Sequence, residues 1–234
     1  MSDLRIGMAV EGPTDAIVLE AGLSAFLQFS FTAVTLQPQI PPGKSGAGWS
    51  GVFWWCRQIG SQGYPTLVES PILNNLDLVI IQVDADVAGM TYHSAKIDDP
   101  PYNDLPCEYP CPPASRTVGA LYNVVSGWLN PTRFGEKAVI CIPSKCIEAW
   151  AAAALYGPND PDLVDNLECS FEVIPYLQAK PANERLVKVH EGKWRKVKGN
   201  FKKAQQTISS RWSDVKDYCP QAARFQEEVE RALA

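Results

Sequence analysis

Acids stand at the ends of apolar runs. Residues 6–10 form a run short enough for a buried strand, and Glu11 follows at its end. A second run, 76–83, leads into Asp84 and, one residue later, Asp86. A third, 138–142, is followed by Lys145 and Glu148. A strand end gains nothing from unpaired carboxylates, and several gathered at one place repel one another until a cation neutralises them. Donors that are all oxygen suit hard divalent ions, so Mg²⁺ or Mn²⁺, one ion or two, is the expected guest. Ions held in that way act as Lewis acids and can activate water.

Those acids meet only if the runs lie side by side as parallel strands. Gly12 and Pro13 turn the chain after Glu11, and proline suits a first helical position, where its missing N–H costs nothing. From Ala16 the apolar spacing is helical, through Leu19, Leu23 and Phe26. Residues 31–36 read as a second strand, 49–59 as a helix and 78–83 as a third strand. A helix over 116–129 and a fourth strand over 138–142 follow. This alternation predicts an α/β fold, a mostly parallel four-stranded sheet flanked by helices and Rossmann-like in outline. Ligands of such sheets collect beyond the carboxyl ends of the strands, where Glu11, Asp84 and Glu148 all fall. A Gly-x-Gly-x-x-Gly turn is missing after the first strand, which weakens a dinucleotide-binding reading.

Glu11, Gly12, Thr14 and Asp15, followed by Asp84 and Asp86, resemble the TOPRIM domain shared by topoisomerases, bacterial primases, recombination mediators and the OLD-family nucleases. The form is most similar to the OLD-type nucleases and to small stand-alone TOPRIM-like proteins of bacteria and phages, over roughly the first 150 residues. The resemblance implies a metal-dependent nuclease, in a phage-defence or mobile-element context. Its metal ligands would be Glu11, Asp15, Asp84, Asp86 and Glu148. Glu11, Asp84, Asp86 and Glu148 would be catalytic together with Lys145, the last stabilising charge in the transition state. Nucleic acid, DNA rather than RNA, would be the substrate. OLD-like systems commonly join the nuclease to an ATPase, so the rival reading is a non-catalytic or conditionally active subunit that meets an ATPase in trans. Self-association is compatible with both. Asp15 and Glu148 keep a plainer reading as well, since an acid in a first helical turn is favoured by ~0.3–1 kcal/mol in any case.

A chain of 234 residues that is 46% hydrophobic can bury one substantial core with an appendage. The expected division is a TOPRIM-like metal-binding domain over 1–156 and a helical, partly basic extension over 157–234. The net charge of −5 argues against a protein that coats nucleic acid indiscriminately. Residues 180–203, however, carry nine Lys and Arg against two acids, leaving −12 on the rest of the chain. Lys193, Arg195, Lys196, Lys198, Lys202 and Lys203 are the expected grip on a phosphate backbone, with a solvated helical face as the alternative.

Other motifs carry less. Gly43, Lys44 and Ser45 imitate the end of a P-loop, but Pro38 stands where its first glycine belongs. Nucleotide hydrolysis is rejected on that ground, and Lys44 is left as a loop cation able to meet a phosphate. Seven cysteines, several of them in apolar runs, read as reduced thiols rather than a disulfide framework. Cys107 and Cys111 lack the second pair that a zinc site needs. Trp49, Phe53, Trp54 and Trp55 read as core rather than as a platform for bases. The stretch 90–113, with six prolines, begins at the proposed metal site and is expected to flank the substrate entrance. No apolar stretch approaches the ~20 residues of a membrane span, so a cytoplasmic protein without membrane contact is expected.

Overall fold

The three apolar runs that lead into Glu11, Asp84 and Glu148 become adjacent parallel strands, which is what those acids require. The computed structural model describes residues 3–38, 46–160, 163, 165, 167–169 and 172–234. Gly43, Lys44 and Ser45 lie outside them. The sheet holds β1 (Leu4–Ala9), β2 (Phe31–Gln37), β3 (Leu78–Gln82) and β4 (Ala138–Cys141). Their order is β2-β1-β3-β4, and every neighbouring pair is parallel. The chain is thus α/β with a four-stranded parallel sheet flanked by helices, consistent with a Rossmann-like fold.

Parallel strands covered on both faces read as continuous apolar runs, because alternate residues enter two different cores. Ile6, Met8, Leu78, Ile80 and Val139 enter one core with α1 (Pro13–Phe26) and α4 (Glu148–Tyr156). Val79, Ile81 and Ile140 enter the other, with α2 (Trp49–Gly60) and α3 (Ser115–Trp128). Phe53 and Trp55 are buried there as expected, whereas Trp54 is exposed.

After α4 come α5 (Val173–Gln178), a hairpin of β5 (Val187–His190) and β6 (Lys193–Lys196), then α6 (Lys198–Ser210), α7 (Trp212–Tyr218) and α8 (Pro220–Leu233). Phe201, Ile208, Trp212 and Phe225 from these last helices share the buried cluster of Ile6, Leu19 and Trp150. Trp212 fits because residue 22 of α1 is glycine: a Cβ there would stand 2.8 Å from the indole. The sequence reads the C-terminal segment as a helical extension, and the structure adds to its helices an antiparallel β5–β6 ribbon that the sequence reading did not place. Its turn is made by Glu191 and Gly192, both with positive φ (52° and 71°), the backbone that a tight two-residue hairpin demands.

A second correction concerns the cysteines. Cys111 and Cys169 form a disulfide with Cα atoms 5.5 Å apart, tying the proline-rich stretch to the segment beyond α4. Cys111 is thereby withdrawn from any site with Cys107. No described helix is long and apolar enough to cross a membrane.

Candidate active site

Glu11 lies just beyond β1, Asp84 just beyond β3, and Glu148 opens α4 after β4. Because β3 has β1 and β4 as its neighbours, all three arrive at one rim. Asp15 reaches the same place from the first turn of α1.

The Glu11 and Asp84 carboxylates are joined through the chain. Glu11 Oε1 accepts the Asp84 backbone N–H at 2.8 Å. Asp84 Oδ1 in turn accepts from Gln82 Nε2 at 2.9 Å and from the Ile147 N–H at 3.0 Å. Gln82 also takes the Glu11 N–H on its Oε1, at 3.3 Å. It is a bracket that holds both acids, and its motif-free position in an apolar strand hid it. The one available signal was a single amide in an otherwise apolar run, since a buried amide needs partners.

Asp15 and Glu148 form a second pair, and Lys196 lies between them. Its Nζ stands 2.7 Å from Asp15 Oδ1 and 2.6 Å from Glu148 Oε1. Both carboxylates are almost fully buried, while 36% of the lysine side chain stays exposed. Asp15 Oδ2 and Glu148 Oε2 are buried and accept no hydrogen bond among the described residues. A Cβ on Gly12 would come within 3.1 Å of Asp15 Oδ2, so the glycine keeps that oxygen's approach open.

Burial without enough positive charge raises the acids. Desolvation pushes the Glu11 carboxyl up to about 8, with repulsion from Asp15 and Asp86 added and the Asp84 N–H opposing. Burial raises Asp84 well above the usual carboxylate range, and Glu11 adds to it. Asp15 is raised by burial as well, against the pull of Lys196. Asp86 is the exposed member of the group. Protein crowding around its carboxyl, with Glu148 repulsion, still lifts it to about 6, a shift that the open solvent beside it moderates. Lys196 moves the other way from a buried lysine: Glu148 and Asp15 outweigh its own desolvation and hold it charged.

Lys145 stands beside Asp86 and pairs with an acid from outside the group. Its backbone has a left-handed φ of 60°, its carbonyl accepts the Asp86 N–H at 3.1 Å, and its Nζ pairs with Glu108 Oε1 at 2.6 Å. Glu108 belongs to the proline-rich stretch, which also returns to the site through the Cys107 N–H on Ala88 O at 2.7 Å. That stretch therefore borders the acidic rim. Of the six basic residues expected to hold a backbone, Lys193, Arg195, Lys198, Lys202 and Lys203 are exposed, and Lys196 turns inward to the acids.

The donors fit a hard divalent ion in type: every one is a carboxylate, and two of their oxygens are buried without a partner. They are not arranged as a ready cage, since among the described residues no three acidic, His or Cys side chains form a metal-ligand set. The positive charge that the acids need comes from Lys196. Comparison with protein-family models, with characterised proteins and with solved structures gives no match.

Proposed function

We propose that the chain is a TOPRIM-type nuclease that cleaves nucleic-acid phosphodiester bonds with Mg²⁺ or Mn²⁺. The observation that carries the reading is the meeting of Glu11, Asp15, Asp84 and Glu148 at the carboxyl rim of three adjacent strands, two of their oxygens buried and unpartnered. Asp86, at the open side of the group, completes the set that would hold the cation. When bound, a divalent ion supplies the positive charge that polarises a phosphodiester and lowers the pKa of an attacking water. The chain's own residues supply the rest. Gln82 and the Ile147 N–H orient Asp84. Lys196, which lies between Asp15 and Glu148, would be an ammonium within reach of the charged phosphate if those two acids were neutralised otherwise. Lys145, steadied by Glu108, screens Asp86.

A conditionally active subunit is the second reading, and the same lysine favours it. With Lys196 between Asp15 and Glu148 the site is closed by an internal cation. A partner that shifts the hairpin, such as an ATPase in trans, would open it.

The purified chain, offered plasmid, linear DNA, oligonucleotides, tRNA and rRNA, is expected to cleave in Mg²⁺ or Mn²⁺ and not in EDTA. Asp84→Asn should slow that cleavage at least about 100-fold, the scale on which removal of one preorganised charged group acts. Cleavage that persists in EDTA, or at wild-type rate in Asp84→Asn, rules the nuclease reading out. Cleavage that appears only with a partner present selects the second reading.

A further inference from the structure

The hairpin that delivers Lys196 to the acids continues outward, and its next residue on the same face is Trp194. Successive residues of a strand alternate between faces, so Trp194 and Lys196 share one side of β6, about 7 Å apart along the strand. Across the ribbon, Val187 pairs with Lys196 and Val189 with Trp194. The inner pair is anchored, because Val187 is 1% exposed in the main core. The outer pair is not: Trp194 is 52% exposed and Val189 50%. A scattered apolar side chain on a surface needs no explanation. This one is an indole backed by a β-branched neighbour on a ribbon, held one register step from an ammonium that reaches the acidic site. The opposite face of the ribbon carries Lys188, His190, Lys193 and Arg195, with Lys188 opposite Arg195 and His190 opposite Lys193. One side of the ribbon thus carries Val187, Val189 and Trp194 beside Lys196, and the other carries an excess of positive charge.

We infer that Trp194, supported by Val189, is a stacking platform for an unpaired nucleobase, and that the substrate of the adjoining site is single-stranded. The inference rests on the reading of the acidic rim as a phosphodiester site. A phosphate at that rim, next to Lys196, places its own nucleotide's base, or its neighbour's, beside the indole. Any base offers a π-face to an aromatic ring, so the platform selects strandedness rather than sequence. A duplex, whose bases are stacked on one another, offers it nothing. The cations on the far face hold flanking phosphates without reading them.

The test uses the full chain in Ca²⁺, a hard cation that the carboxylates can hold in place of Mg²⁺, and reads binding by fluorescence anisotropy of labelled oligonucleotides. A single strand should bind more tightly than the matched duplex. Trp194→Ala should bind the single strand roughly 5- to 150-fold more weakly, the range that stacking of one base on an aromatic ring spans. Trp194→Phe should keep most of the affinity, which separates a lost platform from a disturbed hairpin. An oligonucleotide of abasic sites should bind the wild type and Trp194→Ala alike. Equal binding of the normal single strand by wild type and Trp194→Ala, or a preference for duplex, overturns the platform and points to a protein partner for the exposed indole. Cleavage is assayed in parallel in Mg²⁺ and Mn²⁺. Trp194-dependent binding without any cleavage leaves the platform standing and removes the nuclease. Cleavage that ignores Trp194 removes the platform and leaves the nuclease.

Discussion

The acids of the site arrive on a parallel sheet sealed on both faces, whereas the cation that meets them arrives on a two-stranded ribbon, Lys196 lying 181 residues from Asp15 along the chain. The two regions are held by different means. Glu11 and Asp84 are fixed by backbone N–H groups and by Gln82, so their positions follow from strand register. Lys196 is fixed by the acids themselves and by Val187, the one residue of its ribbon that enters the core. A sheet edge can gather negative charge because its backbone is already satisfied. The counter-charge between Asp15 and Glu148 comes from the ribbon instead. The sheet sets where the acids stand, and the ribbon sets what lies between them.

The comparison breaks most visibly at Lys196. Lys196→Met keeps the length of the stem and removes the charge, leaving Asp15 and Glu148 facing each other. Breaking a buried ion pair from one side costs about 3–5 kcal/mol; allowing for the lysine's partial exposure, roughly 2 kcal/mol is expected here. The melting temperature in EDTA should therefore fall by several degrees at pH 8. Mg²⁺ or Mn²⁺ should restore more of it in the variant than in the wild type, because the ion then has no competitor. A variant as stable as wild type in EDTA, with no larger metal-induced shift, would mean that the lysine neither balances the acids nor occupies the cation's place.

Taken per pH unit, the pH dependence is smaller, and it falls on the acids that the sheet positions. Burial pushes Glu11 up to about 8 and Asp86 to about 6, so the folded chain keeps protons that the unfolded chain has lost above about pH 4.5. Where the folded state binds more protons, stability falls as pH rises, and here the window runs from about pH 4.5 to about pH 8. In EDTA the loss should approach about 1.4 kcal/mol per pH unit, one proton's worth. Glu11→Gln, which can still accept the Asp84 N–H, should flatten the upper half of that curve. Saturating Mg²⁺ should flatten it as well, since cation binding releases the same protons and its affinity rises with pH. Melting curves between pH 5 and pH 8.5 decide it. A melting temperature that climbs over that interval would place the acids in a solvated, already neutralised setting.

How much of this was legible follows the same division. The apolar runs before Glu11, Asp84 and Lys145 announced three strands, and parallel α/β topology then required their ends to meet. Helix starts were equally readable: Pro13 stands at the first position of α1. The ribbon was not read, although Glu191 and Gly192 between two short Val- and Trp-bearing runs are a two-residue turn signal. The density of lysine and arginine drew the eye to charge, and a charge count carries no direction. It could not show that Lys196 faces inward while Arg195 faces out. Alternation along a strand tells them apart, and only once the strand is recognised. Gln82 escaped because one of the two acids that it brackets, Glu11, is 71 residues away, and Glu108 because its partner Lys145 is 37 residues away. The Cys111–Cys169 disulfide escaped because an odd cysteine count argued for thiols throughout.

The smallest effect expected concerns the outer face of the ribbon. Lys188, Lys193 and Arg195 are exposed and lie away from the acids, so their contribution to nucleic-acid binding should be long-ranged and screened by salt. Each phosphate contact on a single strand adds roughly 0.7 to the slope of log affinity against log salt. Changing all three to Gln should therefore lower that slope by about two, with only a modest loss of affinity at 0.15 M salt. Sequence preference and Mg²⁺ affinity should not move, because contacts to the backbone position a strand without reading it, and none of the three residues touches a carboxylate of the site. Anisotropy titrations across a salt series check this directly. An unchanged slope would assign those charges to solvent or to an acidic protein surface. The inner face of the hairpin would then be left as the only part of it that meets the substrate.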